Sequence, residues 1–121
     1  MCIRDSLRAK HVADQMALSE SPGAKTATHV IWSETAVPFL LPDMVQVLEA
    51  IREIVPPGGL LLTGAPRRAE VDGEIRLWNS LFAIDEGGQV AAVYDKRHLV
   101  PFGEYVPLRS ILPLDLSLIH I

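Results

Sequence analysis

An α/β fold, with helices layered on a mixed sheet, is the class that this 121-residue sequence predicts. Three observations carry the prediction. Two segments show apolar residues at three- and four-residue spacing, two short apolar runs rich in β-branched or aliphatic residues alternate with them, and a pair of strand-like runs then flanks Asp85-Glu86-Gly87-Gly88. The implied order is helix, strand, helix, strand, antiparallel hairpin. No internal repeat is present.

Each element has its own signal. From Leu7 to about Ser21, the positions Leu7, Val12, Met16 and Leu18, with alanines between them, fit a helix, and Ser21-Pro22-Gly23 ends it. His29-Val30-Ile31-Trp32 is a β-branched and aromatic run that predicts a buried strand running out at Ser33-Glu34. Pro42-Asp43 opens a second helix whose apolar stripe is Met44, Val45, Val47, Leu48, Ile51, Ile54 and Val55, and Pro56-Pro57-Gly58-Gly59 stops it. Leu60-Leu61-Leu62-Thr63-Gly64-Ala65 is nearly continuous in apolar residues, as in a strand covered on both faces. The next stretch, rich in Arg, Glu and Asp, is expected to be a loop. Residues 76–84 and 89–94 then form the arms of a hairpin around the glycine-containing turn at residues 85–88.

Composition narrows the function classes. With 49% hydrophobic residues the chain reads as globular, and a net charge of -4 with no basic cluster beyond Arg67-Arg68 and Lys96-Arg97 argues against nucleic-acid binding. No apolar stretch is long enough to cross a bilayer: Leu60-Leu61-Leu62 and Phe39-Leu40-Leu41 are short and bounded by Gly or Pro. The single cysteine, Cys2, has no Cys or His partner nearby and makes no metal site.

The two ends differ in kind from the middle. Met1-Cys2-Ile3-Arg4-Asp5-Ser6 and Leu116-Ser117-Leu118-Ile119-His120-Ile121 back-translate to complementary DNA strings that resemble the transposon end used to tag fragments for sequencing. Both hexapeptides, 1–6 and 116–121, are therefore expected to be non-native scars, and residues 7–115 an internal piece of a larger domain. Arg4 and Asp5 cancel, so the net charge is unchanged without them.

Two charged residues stand at strand exits. Glu34 comes after the apolar run ending in Trp32, where partial desolvation can raise a carboxyl pKa toward the working pH; a solvated glutamate at a strand end is the plainer reading of such a residue taken alone. Lys96 comes directly after the last strand. An ammonium there can stabilise an oxyanion, or it can be one member of a solvated charge triplet with Asp95 and Arg97. The segment Leu99-Val100-Pro101-Phe102-Gly103-Glu104 favours the first reading, because it interleaves apolar residues with Pro and Gly and makes a stiff loop.

Two motifs decide the context. Val30-Ile31-Trp32-Ser33-Glu34-Thr35-Ala36-Val37-Pro38 and Tyr94-Asp95-Lys96-Arg97-His98-Leu99-Val100-Pro101-Phe102-Gly103-Glu104-Tyr105-Val106-Pro107 together resemble the nitrilase-type domain of the bacterial apolipoprotein N-acyltransferases. The resemblance extends over essentially all of residues 7–115. It implies the αββα sandwich of the nitrilase superfamily, of which this chain is a part, and a Glu-Lys-Cys triad in which Glu34 is the general base and Lys96 the oxyanion-stabilising cation. Glu104 matches a supporting active-site glutamate, with a loop-capping carboxylate as the competing role. Asn79 matches a position near the site, although an Asn at a strand start is commonly only a turn or cap residue. His98 lies within the motif as a packing residue and is assigned no catalytic role.

The resemblance further implies a phospholipid acyl donor, an apolipoprotein acceptor, no metal and no cofactor. It places the parent in the bacterial inner membrane through parts outside this chain, with this domain on the periplasmic side. The nucleophilic cysteine is expected further toward the C-terminus than these residues reach, so the chain itself is expected to be inactive. Apolar loops around Phe39-Leu40-Leu41 and from Leu99 to Pro107 suit either a bilayer or core packing. A soluble nitrilase or amidase shares the Glu, the Lys and the sandwich, and a non-catalytic nitrilase-like binding domain is the alternative from another class.

Overall fold

Four strands in the order β1-β2-β3-β4 make one mixed sheet, whose apolar face is covered by the two helices. The computed structural model describes residues 3–100, except for the side chains of residues 3–6 and 25. The elements are α1 (Ile3–Ser19), β1 (Val30–Ile31), α2 (Val45–Arg52), β2 (Leu60–Val71), β3 (Glu74–Asp85) and β4 (Val90–Asp95), with 3-10 turns at Ala24–Thr26 and Leu41–Asp43. The α/β class and the mixed sheet agree with the expectation.

Strand direction determines where the chain leaves the sheet. β1 pairs parallel to β2, while β2–β3 and β3–β4 are antiparallel. Strands β1 and β4 therefore run the same way, and the residues after them emerge at one end of the sheet. Helix α2 is the crossover between parallel strands, which need a connection of this kind.

Packing reflects the alternation of the strands. Leu61, Thr63 and Ala65 of β2 are register partners of Ile84, Phe82 and Ser80 of β3 and all six are buried, as period-2 geometry requires for one face. Trp32, Val37, Leu41, Ile51 and Val55 close over them. The indole Nε1 of Trp32 donates to Ser19 Oγ at 2.9 Å, and this bond ties α1 to the end of β1.

Four details depart from the expectation. The segment expected to be a charged loop is instead the continuation of β2, joined to β3 by Asp72-Gly73, both with positive φ (55° and 78°). An Asp-Gly pair at positive φ is a two-residue hairpin turn, and its ribbon stands clear of the helices, where Arg68, Glu70, Glu74 and Arg76 stay exposed or half-buried. β1 is shorter and less buried than expected: it pairs only with β2 among the described strands, and Ile31 is 74% exposed. α2 ends at Arg52 rather than running to Val55, though Ile54 and Val55 still donate to Ile51 O before Pro56. In addition, α1 begins at Ile3, inside the first hexapeptide.

The second hairpin turn forms where Asp85-Glu86-Gly87-Gly88 places it. Asp85 Oδ1 accepts from the amides of Gly87 and Gln89, both at 2.9 Å, and Gly88 takes φ 76°. Past this turn the β3–β4 register shifts between Ala83 and Ile84.

Candidate active site

Trp32 donates its amide to Leu62 O, which continues the β1–β2 ladder by one step, and Val37 donates to Gly64 O of the same strand at 3.2 Å. Between those two anchors the chain loops out as Ser33-Glu34-Thr35-Ala36. Thr35 sits at φ 55°, a left-handed conformation that is uncommon for a β-branched residue and costs on the order of 1–3 kcal/mol. The loop lies directly on Gly64: a Cβ there would stand 2.5 Å from Thr35 N and 3.0 Å from Glu34 Cα. A glycine is what lets the Glu34 turn rest against the sheet.

Opposite Glu34 are β3 and the exit of β4. Lys96 N donates to Asn79 O at 2.8 Å, so the β3–β4 ladder runs one residue beyond β4. Asn79 Nδ2 and Lys96 Nζ both donate to Glu34 Oε1, at 2.7 and 2.8 Å. Three residues from separate parts of the chain, 62 positions apart at the extremes, thus meet at the carboxyl end of the parallel strands. That is the end of an α/β sheet where ligands usually bind. They line a cleft of about 310 Å³ whose remaining walls are Trp32, Gly64, Ser80, Leu81 and Tyr94. The polar groups converge at one point of a mostly apolar wall, the usual form of a small-molecule site.

The Glu34–Lys96 pair does not hold the fold together. Its side chains are 62% and 30% exposed, and ion pairs so placed contribute only about 0–1 kcal/mol. Strand topology brings them together, and what the geometry offers is chemical: an oriented carboxylate with an ammonium and an amide fixed on one of its oxygens.

Behind this cluster lies a second one. Asp95 accepts two bonds from Arg67, from Nε to Oδ1 at 2.8 Å and from Nη2 to Oδ2 at 2.6 Å, and Ser80 Oγ donates to Oδ1 at 2.7 Å. The Arg67 guanidinium also lies 4.2 Å from the centroid of the Trp78 ring. Bonds from the guanidinium hold the Asp95 carboxyl below the ordinary carboxylate range against the opposing effect of burial, and Ser80 adds to the lowering. With its native pKa depressed, Asp95 contributes stability that is complete above the unfolded value of about 3.9 and is lost as pH falls through the lower native value. Thermal melting of Asp95→Asn should accordingly fall short of wild type by a constant margin above about pH 5, and the margin should shrink below about pH 4. A margin that does not change with pH would assign the effect to shape rather than charge.

Of the residues singled out in the sequence, Glu34, Lys96 and Asn79 meet directly. Glu104 and the motif from Pro101 to Pro107 lie outside the described residues, as does Cys2. His98 is exposed and belongs to neither cluster. Gly64, Arg67, Ser80 and Asp95 were not anticipated. The signal for Gly64 is a glycine within an otherwise aliphatic strand, which marks a close backbone approach; the other three become visible only once the strand register is known. Among the described residues, no group of three or more His, Cys, Asp or Glu side chains could hold a metal ion.

Comparison with known proteins fits this geometry. The glutamine-dependent NAD+ synthetase of Acinetobacter baumannii superposes on 79% of this chain and 19% of its own with a TM-score of 0.57 at 17% identity, a likeness of fold alone. The architecture is thus of the nitrilase type. No family model matches the sequence. Apolipoprotein N-acyltransferases do: that of Rhizobium meliloti (strain 1021) is 38% identical over 113 residues, 89% of this chain and 21% of the relative. That of Rhizobium rhizogenes is 40% identical over 114 residues (90% and 21%), and that of Brucella suis 42% over 85 residues (69% and 16%). The chain is thus homologous to one segment of the apolipoprotein N-acyltransferases. It spans about a fifth of the length of the first of these relatives.

Proposed function

We propose that this chain is the part of an apolipoprotein N-acyltransferase that carries two members of its catalytic triad, Glu34 and Lys96. One observation carries the reading: the convergence of Lys96 Nζ and Asn79 Nδ2 on Glu34 Oε1 within an apolar cleft, in a segment homologous to enzymes of that name. In this reading the sulfur nucleophile comes from another part of the parent enzyme. Residues 1–6 and 116–121 are non-native under this proposal, and sequencing the genomic locus tests it.

The chemistry is two acyl transfers. Glu34 takes the thiol proton, and the thiolate attacks the ester carbonyl of a phospholipid. Lys96 stabilises the negative charge that develops on the carbonyl oxygen, an interaction made chiefly in the transition state. The ester C–O bond then breaks, the proton held by Glu34 goes to the departing alkoxide, lysophospholipid leaves, and a thioester remains. The α-amino group of a diacylglyceryl-cysteine next attacks the thioester and loses its proton to Glu34. The amide forms as the C–S bond breaks, and the sulfur is reprotonated. Asn79 holds the Glu34 carboxylate in place, and Glu104 is the supporting glutamate in this reading.

The parent is a membrane enzyme in this reading, with this domain on the periplasmic side of the inner membrane. No helix among the described residues is long and apolar enough to cross a membrane. The full-length protein, given phospholipid and a diacylglyceryl-cysteine peptide, should form equal amounts of acylated peptide and lysophospholipid through a hydroxylamine-sensitive acyl-enzyme. Release of ammonia from amide substrates without acyl transfer would instead make it a nitrilase-type hydrolase.

A further inference from the structure

Lys96 reaches Glu34 only if β4 pairs with β3 in one register. Ser80 is the partner of Asp95 across that ladder, and Asn79 and Lys96 come next as neighbours of these two. Successive side chains on a strand point to opposite faces. Asn79 and Lys96 accordingly meet on the face that carries Glu34, whereas Ser80 and Asp95 meet on the other, with Arg67 of β2. A slip of β4 by one residue would exchange the faces and turn Lys96 away from the carboxylate.

Within this chain, burial does little to prevent that slip. All five residues from Val90 to Tyr94 are exposed among the described residues, and a shift of register already occurs between Ala83 and Ile84. Register is weakly specified where neither face of a strand is buried. At the site end, on the face away from Glu34, the strand is held by the bidentate Arg67–Asp95 pair, in which both side chains are largely covered (26% and 35% exposed), with the Ser80 bond beside it. The fork of a guanidinium accepts a carboxylate in one planar arrangement, so it selects a position as well as a charge.

We propose that Arg67, Asp95 and Ser80 are positioning residues for Lys96: they lock the end of β4 to β2 and β3 on one face of the sheet, and so present the ammonium to Glu34 on the other. The proposal rests on the reading of Glu34 and Lys96 as active-site residues. Arg67 touches no reacting atom and acts only through the strand.

The test compares Arg67→Met, Asp95→Asn, their double variant and Arg67→Lys in the full-length enzyme. Thioester formation from phospholipid, competitive acetylation of Lys96 against the exposed Lys10, and thermal midpoint are read for each. The double variant leaves neither charge uncompensated, so it should melt close to wild type. Its maximal rate should nonetheless fall roughly ten- to a hundredfold with half-saturation unchanged, because small misplacements of an oriented group are costly. Lys96 labelling should rise several-fold relative to Lys10, and Arg67→Lys, which keeps one bond to Asp95, should recover part of both. A double variant with wild-type rate and wild-type labelling would reduce the cluster to a strand tie and overturn the proposal. Should wild type form no thioester at all, the enzymatic reading fails, and the labelling ratio still decides whether the cluster positions Lys96.

Discussion

Replacing Glu34 by Gln in the full-length parent should lower the rate of acyl-thioester formation by about a thousandfold or more, the range expected when a positioned general base is removed. The amide keeps the size of the side chain and can still accept from Lys96, so the structure should persist. Removing the pair costs about 0–1 kcal/mol of stability, because Glu34 is mostly solvent-exposed. Lys96→Ala should lose about a hundred- to a thousandfold by the same assay, as for loss of one oxyanion donor, with phospholipid binding little changed. Rates near wild type in either variant, measured as incorporation of label from the phospholipid acyl chain, would remove that residue from the catalytic machinery.

Gly64→Ala is the substitution with the largest expected effect on the structure of the site. Its new methyl would stand 2.5 Å from the backbone nitrogen of Thr35, a distance that real side chains do not reach, and the atoms in its way are backbone that cannot rotate aside. Either β2 or the Ser33-Glu34-Thr35-Ala36 turn must move. The cost should be about 1–3 kcal/mol, as for overpacking elsewhere, and the displaced turn should carry Glu34 away from Lys96 and lower thioester formation along with the melting temperature. Gly23→Ala is the matched control: nothing lies within 4 Å of its added carbon and its φ is -69°, so stability should be unchanged or slightly raised. Equal melting temperatures for the two variants would show that the close approach at Gly64 does not constrain the turn.

Much of this architecture was legible in the residues. Apolar periodicity located both helices, and the runs at Val30-Ile31 and Leu60-Leu61-Leu62 located the parallel pair; in β2 the run records burial on the helix-covered face, whereas Ile31 of β1 is exposed. The turn at residues 85–88 was legible through its glycines. The other hairpin was missed: its arms carry Arg67, Arg68, Glu70, Glu74 and Arg76, and a ribbon with little buried surface leaves a charge pattern like that of a loop. The local signal that separates the two is Asp72-Gly73, a turn pair at positive φ.

The site divides along the same line. Glu34 and Lys96 stood out through the motifs around them, each just after a strand, and parallel β1 and β4 bring two such exits to one end of the sheet. Asn79, weak in sequence, becomes a direct partner of Glu34 because the register of β3 sets it there. Arg67 and Asp95 are separated by 28 positions and belong together only through pairing across three strands. Asp95 in sequence is one of three adjacent charges, which ordinarily mark a solvated surface. Cross-strand contacts of this kind leave no local periodicity to read.

The most direct measurement of the central claim is a double-mutant cycle on thioester formation, comparing Glu34→Gln, Lys96→Ala and the two together in the full-length enzyme. Residues that act as one unit on one sulfur are strongly non-additive, so the double variant should be no slower than the slower single variant. If the two losses multiply instead, Glu34 and Lys96 act independently, and their meeting at the end of the sheet is not the basis of catalysis.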